Sequence, residues 1–384
     1  MHQYDVAIVG AGLAGLHLAR LLAQERLRVL LVDRKASLAE GIHTTGIFVR
    51  RTLEDFAIPD DCLGPAIRDV ALHSPAGRTQ ELSSPYDEFR IGRMAQLYDR
   101  LLIECIYLGV TWLRQTRYAG YSVLKKQLVV KLNQKASSRW VVTRFLVGAD
   151  GADSRVARDL GLDTNEEWIV GVEDVLKDVP LFGPPRLHCF LDPVHAPGYL
   201  AWLAHDGQET HLGVGGYPAL FDPVQSLRHF RNRLGNVVDL SRASKVSRRG
   251  GRIPVGGILR RISNSHGLLI GDAAGAVSPL TAGGLDACLR LSTIAARVIS
   301  EYLNTGQEEA LEAYSGEPFR ARFTSRLLLR RLFSAIRQPA LVELACAGLR
   351  LPIVDRFTWH VFFGRGSFPV IGSEQRLVLE RVST

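Results

Sequence analysis

The residues with the clearest chemical purpose are glycines set in front of isolated carboxylates. Gly10-Ala11-Gly12-Leu13-Ala14-Gly15 follows the short β-branched run from Val6 to Val9. Leu16, Leu18, Leu21 and Leu22 then give a helical face, and a second strand, "RVLLVD", ends in Asp33. In this βαβ setting each glycine has a separate task. Gly10 permits the tight turn, Gly12 lets backbone approach a pyrophosphate, and Gly15 lets helix pack on strand. Leu13 and Ala14 open the helix, whose free N–H groups face the phosphates. Asp33 is placed to accept hydrogen bonds from ribose hydroxyls. The competing reading is a glycine-rich turn without ligand; the full context predicts a dinucleotide. Arg34 and Lys35, just beyond Asp33, hint at a 2′-phosphate.

Two further clusters bear on which dinucleotide it is. Gly148-Ala149-Asp150-Gly151-Ala152-Asp153-Ser154-Arg155 follows a strand–turn–strand pattern, and on its own reads as a polar turn capped by Asp and Ser. In "LLIGDAAGAVSPLTAGGLDACLRL", residues 268 to 291, an apolar run ends in Gly271-Asp272 and continues in small residues. With these motifs in order, the chain resembles the large family of FAD-dependent oxidoreductases that includes aromatic hydroxylases, flavin-dependent halogenases and geranylgeranyl reductases. The resemblance implies FAD as the cofactor, with Asp150 in a segment close to it. It implies that Asp272 hydrogen-bonds a ribityl or ribose hydroxyl. It further implies that Pro279, Gly283, Gly284 and Leu285 begin a helix whose N–H groups face the flavin pyrimidine. That partly positive end favours an anionic reduced flavin. Arg93, in "RIGRMAQLYDRLLIECIYLGV", matches the family's arginine before a cofactor-flanking helix, with Arg90 as its alternative.

Gly275, directly after "GDAA", separates branches of that family. Aromatic hydroxylases usually carry histidine there, whereas geranylgeranyl reductases and halogenases carry glycine or another small or apolar residue. Halogenases also need a lysine, and none stands between Lys35 and Lys125. "HAPGYLAWLAHDGQETHLGVGGYP", residues 195 to 218, resembles a reductase segment, with Pro197, Tyr199, Trp202, Gly207 and Gly213 at matching places. Leu203-Ala204 replaces the family's Phe-Pro. Tyr199 and Trp202 read as sharing one strand, either against the substrate or in plain core. The implied chemistry is reduction of carbon–carbon double bonds in a hydrophobic, isoprenoid- or lipid-like substrate, with NAD(P)H as a transient electron donor. The alternatives are a monooxygenase, a flavin-dependent cyclase or isomerase without net redox change, and a non-enzymatic flavoprotein. No residue stands out as a catalytic acid or base. His43, Thr44 and Thr45 should pass near the flavin, and read most simply as loop polar residues.

The elements that must position these groups fit a chain of 384 residues with 46% hydrophobic and 22% charged residues. The expected fold is α/β: a Rossmann-like FAD-binding domain, an inserted, mostly antiparallel substrate sheet, and a helical C-terminal region. The boundaries expected are 1–65, 93–164 and 261–304 for the cofactor domain, 66–92 and 165–260 for the sheet, and 305–384 for the helical region. Five scattered cysteines without a C-x-x-C pair argue against a disulfide framework and against a metal site. The N-terminus lacks the pattern of a signal peptide and no apolar run spans a membrane, so a cytoplasmic location is expected.

The net charge of +8 is concentrated late, with eleven arginines against five acids from residue 317 onward. No base-reading or stacking module accompanies it, so a nucleic-acid partner is not expected. Arg322, Arg326 and Arg330 form one helical stripe, continued by Arg337, and Leu328, Leu332 and Ile336 form another, joined by Leu329 and Phe333. The stretch fits a domain-covering helix with solvated or paired arginines. It also fits peripheral contact with an anionic membrane, to which the aromatics of "RFTWHVFFGRGSF" would add.

Overall fold

The computed structural model describes residues 3–364, apart from 126, 136, 181–182 and 350–351. The last part of the Arg-rich region, 365–384, lies outside the described residues. At the centre is the strand Gln3–Val9, parallel to Val29–Val32 on one side and to Ser137–Gly148 on the other. Thr111–Leu113 and Gly267–Leu269 extend this parallel sheet outward. The inner strands are near-continuous apolar runs because helices or other chain cover both faces. Their ends are in register: Val9 pairs with Val32 and with Gly148, and Gly148 pairs with Leu269. Gly10, Asp33, Asp150 and Asp272 therefore gather along one edge, where such folds bind their ligands. The expected strand–turn–strand before Gly148 is present as Gln127–Gln134 paired with Ser137–Gly148, with Thr116–Leu124 added outside.

The helix Leu13–Gln24 buries Leu16, Leu18 and Leu22 completely, with Leu21 half-buried. It packs against the helices Met94–Tyr107 and Leu285–Thr305. The last of these begins at Leu285, so Pro279 to Gly284 form the turn that leads into it rather than its first residues.

The second sheet has seven strands, in the spatial order Ser244–Pro254, Trp168–Lys177, Thr210–Gly216, Ala201–His205, Arg186–Phe190, Asp69–His73 and Thr79–Ser83. Only the Arg186–Phe190 and Asp69–His73 pair is parallel. Phe89–Ile91 lies apart from it, paired with Ile47–Val49. One face carries Val172, Leu203, Leu212 and Val214 against Leu227 and Phe230 of the helix Pro223–Arg233. By the two-residue alternation of strands, the other face presents Glu173, Trp202, His211 and Arg249 among Gly171, Gly213, Gly215 and Gly251. This face meets the His43–Thr45 loop that follows the second strand of the parallel sheet.

The chain ends in helices, and here the structure corrects the sequence. The helix Thr324–Ala335 turns Arg326 and Arg330 inward, while Leu328 and Leu332 are 60% and 58% exposed. The reason is local: Ser278 offers Arg326 a hydroxyl oxygen, and Tyr199 and Tyr217 offer Arg330 two ring faces. Arg322 and Arg337 remain exposed. No helix among the described residues is long and apolar enough to cross a membrane.

Candidate active site

The first glycine loop has the geometry of a phosphate cradle. Gly10 has φ +105°, and a Cβ there would stand 2.1 Å from the Ala149 carbonyl oxygen. A Cβ at Gly15 would stand 2.0 Å from the Gly10 carbonyl oxygen, so turn, helix and the neighbouring Gly148–Arg155 loop are locked together. Gly12 differs: a Cβ there would meet nothing within 4 Å, and no side chain caps the helix that starts at Leu13. Its backbone N–H groups are free for a pyrophosphate. Leu13 and Ala14 are buried beneath the loop.

Asp33 sits at the end of its strand and accepts hydrogen bonds from the Ala11 N–H at 2.8 Å and the Lys35 N–H at 2.9 Å. Each carboxylate oxygen keeps a lone pair for a ribose hydroxyl. Arg34 points to solvent. Asp150 has a structural task as well: it accepts from the Ser154 hydroxyl and from the Arg155 and Val156 N–H groups. Burial raises the Asp150 carboxyl above its ordinary value against those hydrogen bonds.

Asp272 lies in the one-turn helix Gly271–Ala274, after the strand Gly267–Leu269; Leu268, Leu269 and the following Ile270 are fully buried. Its carboxylate has no hydrogen-bond partner among the described residues, and burial pushes it up to about 6. Oδ1 lies 3.6 Å from where a Cβ of Gly284 would be, at the N-cap of the Leu285–Thr305 helix. That helix start has no side-chain cap. Gly271, with φ +58°, brings the turn against Ala14 of the first helix. The cradle at Gly12, the spare lone pairs of Asp33 and the unpartnered Asp272 carboxylate lie along one edge and fit a flavin dinucleotide. Gly12, Asp33 and Asp272 would hold its pyrophosphate and hydroxyls.

Gly275 has a steric cause. Its φ is +70°, and a Cβ there would meet the Gly257 carbonyl oxygen at 2.5 Å and Asn165 Oδ1 at 3.0 Å. A histidine does not fit this backbone. Asn165 itself was not singled out in the sequence. Its Nδ2 donates to the Ala152 and Asp272 carbonyls at 3.0 and 2.9 Å, tying two cofactor loops together.

Arg93 precedes the helix Met94–Tyr107 and donates to the Asp61 and Asp206 carbonyls at 3.0 and 3.3 Å, with Nε buried and unpartnered. Arg90 is committed elsewhere, to the Gly64 carbonyl and the Asp60 carboxylate. Tyr199 lies just before the Ala201–His205 strand rather than in it; its hydroxyl donates to the Thr281 carbonyl at 2.7 Å. A Cβ at Gly215 would stand 2.7 Å from the Tyr199 ring, and one at Gly213 would stand 2.2 Å from the Trp202 indole. The glycines thus let both aromatic rings lie flat over the sheet.

Trp202 is held by a buried ionic network that the sequence reading did not assemble. Its Nε1 donates to Glu173 Oε2 at 2.9 Å, and the Thr45 hydroxyl donates to the same oxygen. His211 Nδ1 stands 3.0 Å from Glu173 Oε1, its Nε2 stands 3.4 Å from Asp206 Oδ2, and Arg249 lies 3.8 Å from Glu173. Burial alone would lower the His211 imidazole, but Glu173 and Asp206 outweigh it and lift it to about 9. Burial would raise Glu173, and the His211 cation with the Thr45 and Trp202 hydrogen bonds holds it below its ordinary value. Two adjacent acids, Glu173 and Asp174, in the middle of the otherwise apolar "WIVGVEDVLK" were the available signal.

Comparison with known proteins agrees with this arrangement. Residues 99–328 match a family model described as FAD binding domain, and residues 5–183 match one described as lycopene cyclase protein. A digeranylgeranylglycerophospholipid reductase of Methanocella arvoryzae is 25% identical over 330 residues, covering 82% of each chain. A geranylgeranyl diphosphate reductase of Rhodobacter capsulatus is 27% identical over 321 residues, 81% of this chain and 78% of its own. Among solved structures, a geranylgeranyl bacteriochlorophyll reductase-like protein from Thermoplasma acidophilum superposes with a TM-score of 0.79 at 18% identity, over 89% of this chain and 90% of that one. A p-nitrophenol 4-monooxygenase from Pseudomonas putida gives 0.71 at 16% identity, over 100% and 98%. At such identities the structural likeness speaks for the fold alone. With the dinucleotide cradle in place and the match running through most of the chain, this protein belongs to the FAD binding domain family.

Proposed function

We propose that this chain is an FAD-dependent oxidoreductase that reduces carbon–carbon double bonds of a hydrophobic, isoprenoid- or lipid-like substrate, with NAD(P)H as a visiting electron donor. The observation that carries this reading is the inner face of the second sheet, where Gly171, Gly213 and Gly215 let the Tyr199 and Trp202 rings lie flat against the strands, with His43 over Gly251. A surface of flat aromatic rings suits a long apolar chain better than a compact polar ring. It is tied to the cofactor side through Tyr199 and Thr281, Glu173 and Thr45, and Arg93 and Asp206. The lack of room for histidine at Gly275 also supports reduction over ring hydroxylation. The names of the relatives, which speak of geranylgeranyl and digeranylgeranyl substrates, agree.

When bound, the flavin supplies the hydride. The residues of the chain do the rest: Gly12 admits the pyrophosphate, Asp33 and Asp272 accept from hydroxyls, and Tyr199 and Trp202 confine the substrate. The uncapped N-terminus of the Leu285–Thr305 helix offers partial positive charge to an anionic ring. Domain limits close to those expected from sequence, with the cofactor residues on the parallel sheet and the substrate on the seven-stranded one, belong to the same proposal.

A second reading is a flavin-dependent cyclase without net redox change, favoured by the match of residues 5–183 to the lycopene cyclase model. The deciding experiment incubates FAD-loaded protein with NAD(P)H and geranylgeranyl diphosphate under labelled oxygen. The expected result is flavin bleaching and a product heavier only by added hydrogen. Labelled oxygen in the product means a monooxygenase, and an isomeric product of unchanged mass means the cyclase.

Peripheral membrane contact belongs to the proposal in a revised form. With Arg326 and Arg330 turned inward, the contact face is the exposed apolar one of Leu328, Leu332 and Phe333, with Leu341 and Leu344 nearby in sequence on the next helix.

A further inference from the structure

The basic charge of this chain has a second concentration, outside the Arg-rich C-terminal region. Between Glu104 and Asp150 stand eight lysines and arginines and not one acid. They fall on or beside the antiparallel strands Thr116–Leu124, Gln127–Gln134 and Ser137–Gly148. Leu128, Val130 and Leu132 of the middle strand turn into the main core. Pairing sets the opposite face: Lys131 stands across from Trp140 and from Gly120, and Asn133 across from Ser138 and from Arg117. Trp140 is 45% exposed, with the Lys131 ammonium 5.5 Å from its ring centroid. Arg114, Lys135 and Arg139 are exposed at one end of the strands, and Lys125 at the turn at the other. None of these six cations pairs with a carboxylate among the described residues, whereas Arg144, further along the last strand, reaches Asp5 at 3.7 Å.

A surface charged only for solubility mixes both signs, and elsewhere this chain ties arginines to acids, as in Arg100 with Asp61 or Arg158 with Asp153. Six uncompensated cations around an exposed tryptophan call for an anion from outside. The outer edge of Thr116–Leu124 pairs with no other strand among the described residues, and Val123 and Leu124 are exposed at its end. A second copy does not fit, because a two-fold contact through this face sets cation against cation. Single-stranded nucleic acid asks for several aromatic platforms along a groove, whereas here one indole lies on a flat sheet. A lipid surface asks for apolar residues that project past the cations, whereas Trp140 lies mid-sheet beneath the Lys131 ammonium. A flat face with a central tryptophan and arginines around it has the composition of a protein–protein contact. We propose that the outer face of these three strands docks an acidic face of another protein, with Trp140 as the central apolar contact and the surrounding lysines and arginines meeting its carboxylates. The surface begins beside the dinucleotide cradle, since the Gln115 and Thr116 N–H groups donate to the Lys35 and Asp33 carbonyls at 2.9 and 2.8 Å. The partner therefore docks on the parallel-sheet side, not on the sheet that carries Trp202. This goes beyond the reductase reading and does not depend on it.

The test titrates the full chain with three probes at low and high salt: a synthetic peptide of alternating glutamate and leucine, a DNA duplex, and vesicles of anionic lipid. The peptide should bind, and should bind at least about tenfold more weakly at high salt. Arg117→Glu combined with Lys131→Glu should weaken it by roughly 30-fold or more, and Trp140→Ala by about tenfold. Peptide affinity that ignores either change overturns the proposal. Without the charge effect the cations are not the site, and without the tryptophan effect the attraction is general charge alone. DNA bound more tightly than the peptide and lost in the same variants marks a nucleic-acid surface, and vesicle binding lost in them marks a lipid surface; either also overturns it. An unchanged melting temperature in each variant guards against misfolding. Lys125→Glu combined with Lys135→Glu alters only the turns and should weaken the peptide by roughly tenfold even where a strand variant fails to fold; unchanged affinity there counts equally against the proposal.

Discussion

Gly12 and Gly15 are three residues apart, and substituting them should have opposite consequences. A Cβ at Gly12 enters open space, on a backbone whose φ of −74° suits any residue. Gly12→Val should therefore give a folded protein that fails to retain FAD, because the side chain occupies the approach of the pyrophosphate. Gly15→Val instead drives a side chain into the Gly10 carbonyl at 2.0 Å and should prevent folding. Purification of both, with circular dichroism and flavin absorbance, checks the pair; a yellow, folded Gly12→Val protein would refute the placement of the cradle. The close packing at Gly15 was legible in the sequence because a strand, a glycine turn and a helix are local. Asn165 was not: its value lies in joining Ala152 to Asp272, and no spacing rule relates those residues.

At the scale of the strands, the Glu173–His211–Asp206 network carries its own prediction. A histidine whose folded value is raised from 6.5 to about 9 adds stability that is fully present below 6.5 and is lost as pH rises through 9. His211→Gln leaves two buried carboxylates without their cation and should cost about 3–5 kcal/mol at pH 6. The gap between wild type and variant should narrow steadily from pH 6.5 to 9.5. Denaturant titration across that range checks it, and a gap independent of pH would show that His211 is neutral. Glu173 and Asp174 side by side in an apolar strand hinted at such a network. Their partners did not declare themselves, because His211 and Arg249 become neighbours of Glu173 only through sheet pairing. The helix Thr324–Ala335 shows the opposite failure. Its two stripes were correctly spaced, but periodicity does not say which faces inward, and tyrosine rings and a serine hydroxyl made the arginine stripe the buried one.

For the whole molecule, that inversion changes how it should meet a lipid surface. A contact made through Leu328, Leu332 and Phe333 depends chiefly on apolar area, with the exposed Arg322, Arg331 and Arg337 left to add attraction for anionic lipid. Co-sedimentation with vesicles should show binding that changes less than about threefold between low and high salt. Leu328→Glu combined with Leu332→Glu should abolish it. Strongly salt-dependent binding, or binding that survives both substitutions, would restore the arginines as the contact face, and equal absence of binding to anionic and neutral vesicles would remove membrane contact from the proposal. The order of strands also bears on how the protein is made. Gln3–Val9 finds one neighbour in residues 29–32, but the other in residues 142–148, whose own outer partner is 267–269. During synthesis the glycine cradle thus emerges about 260 residues before Asp272, with the Leu146–Gly148 edge open until then. Contacts of such long range form slowly. A nascent chain therefore displays the glycine cradle without the Asp272 turn until the strand Gly267–Leu269 has been made and paired.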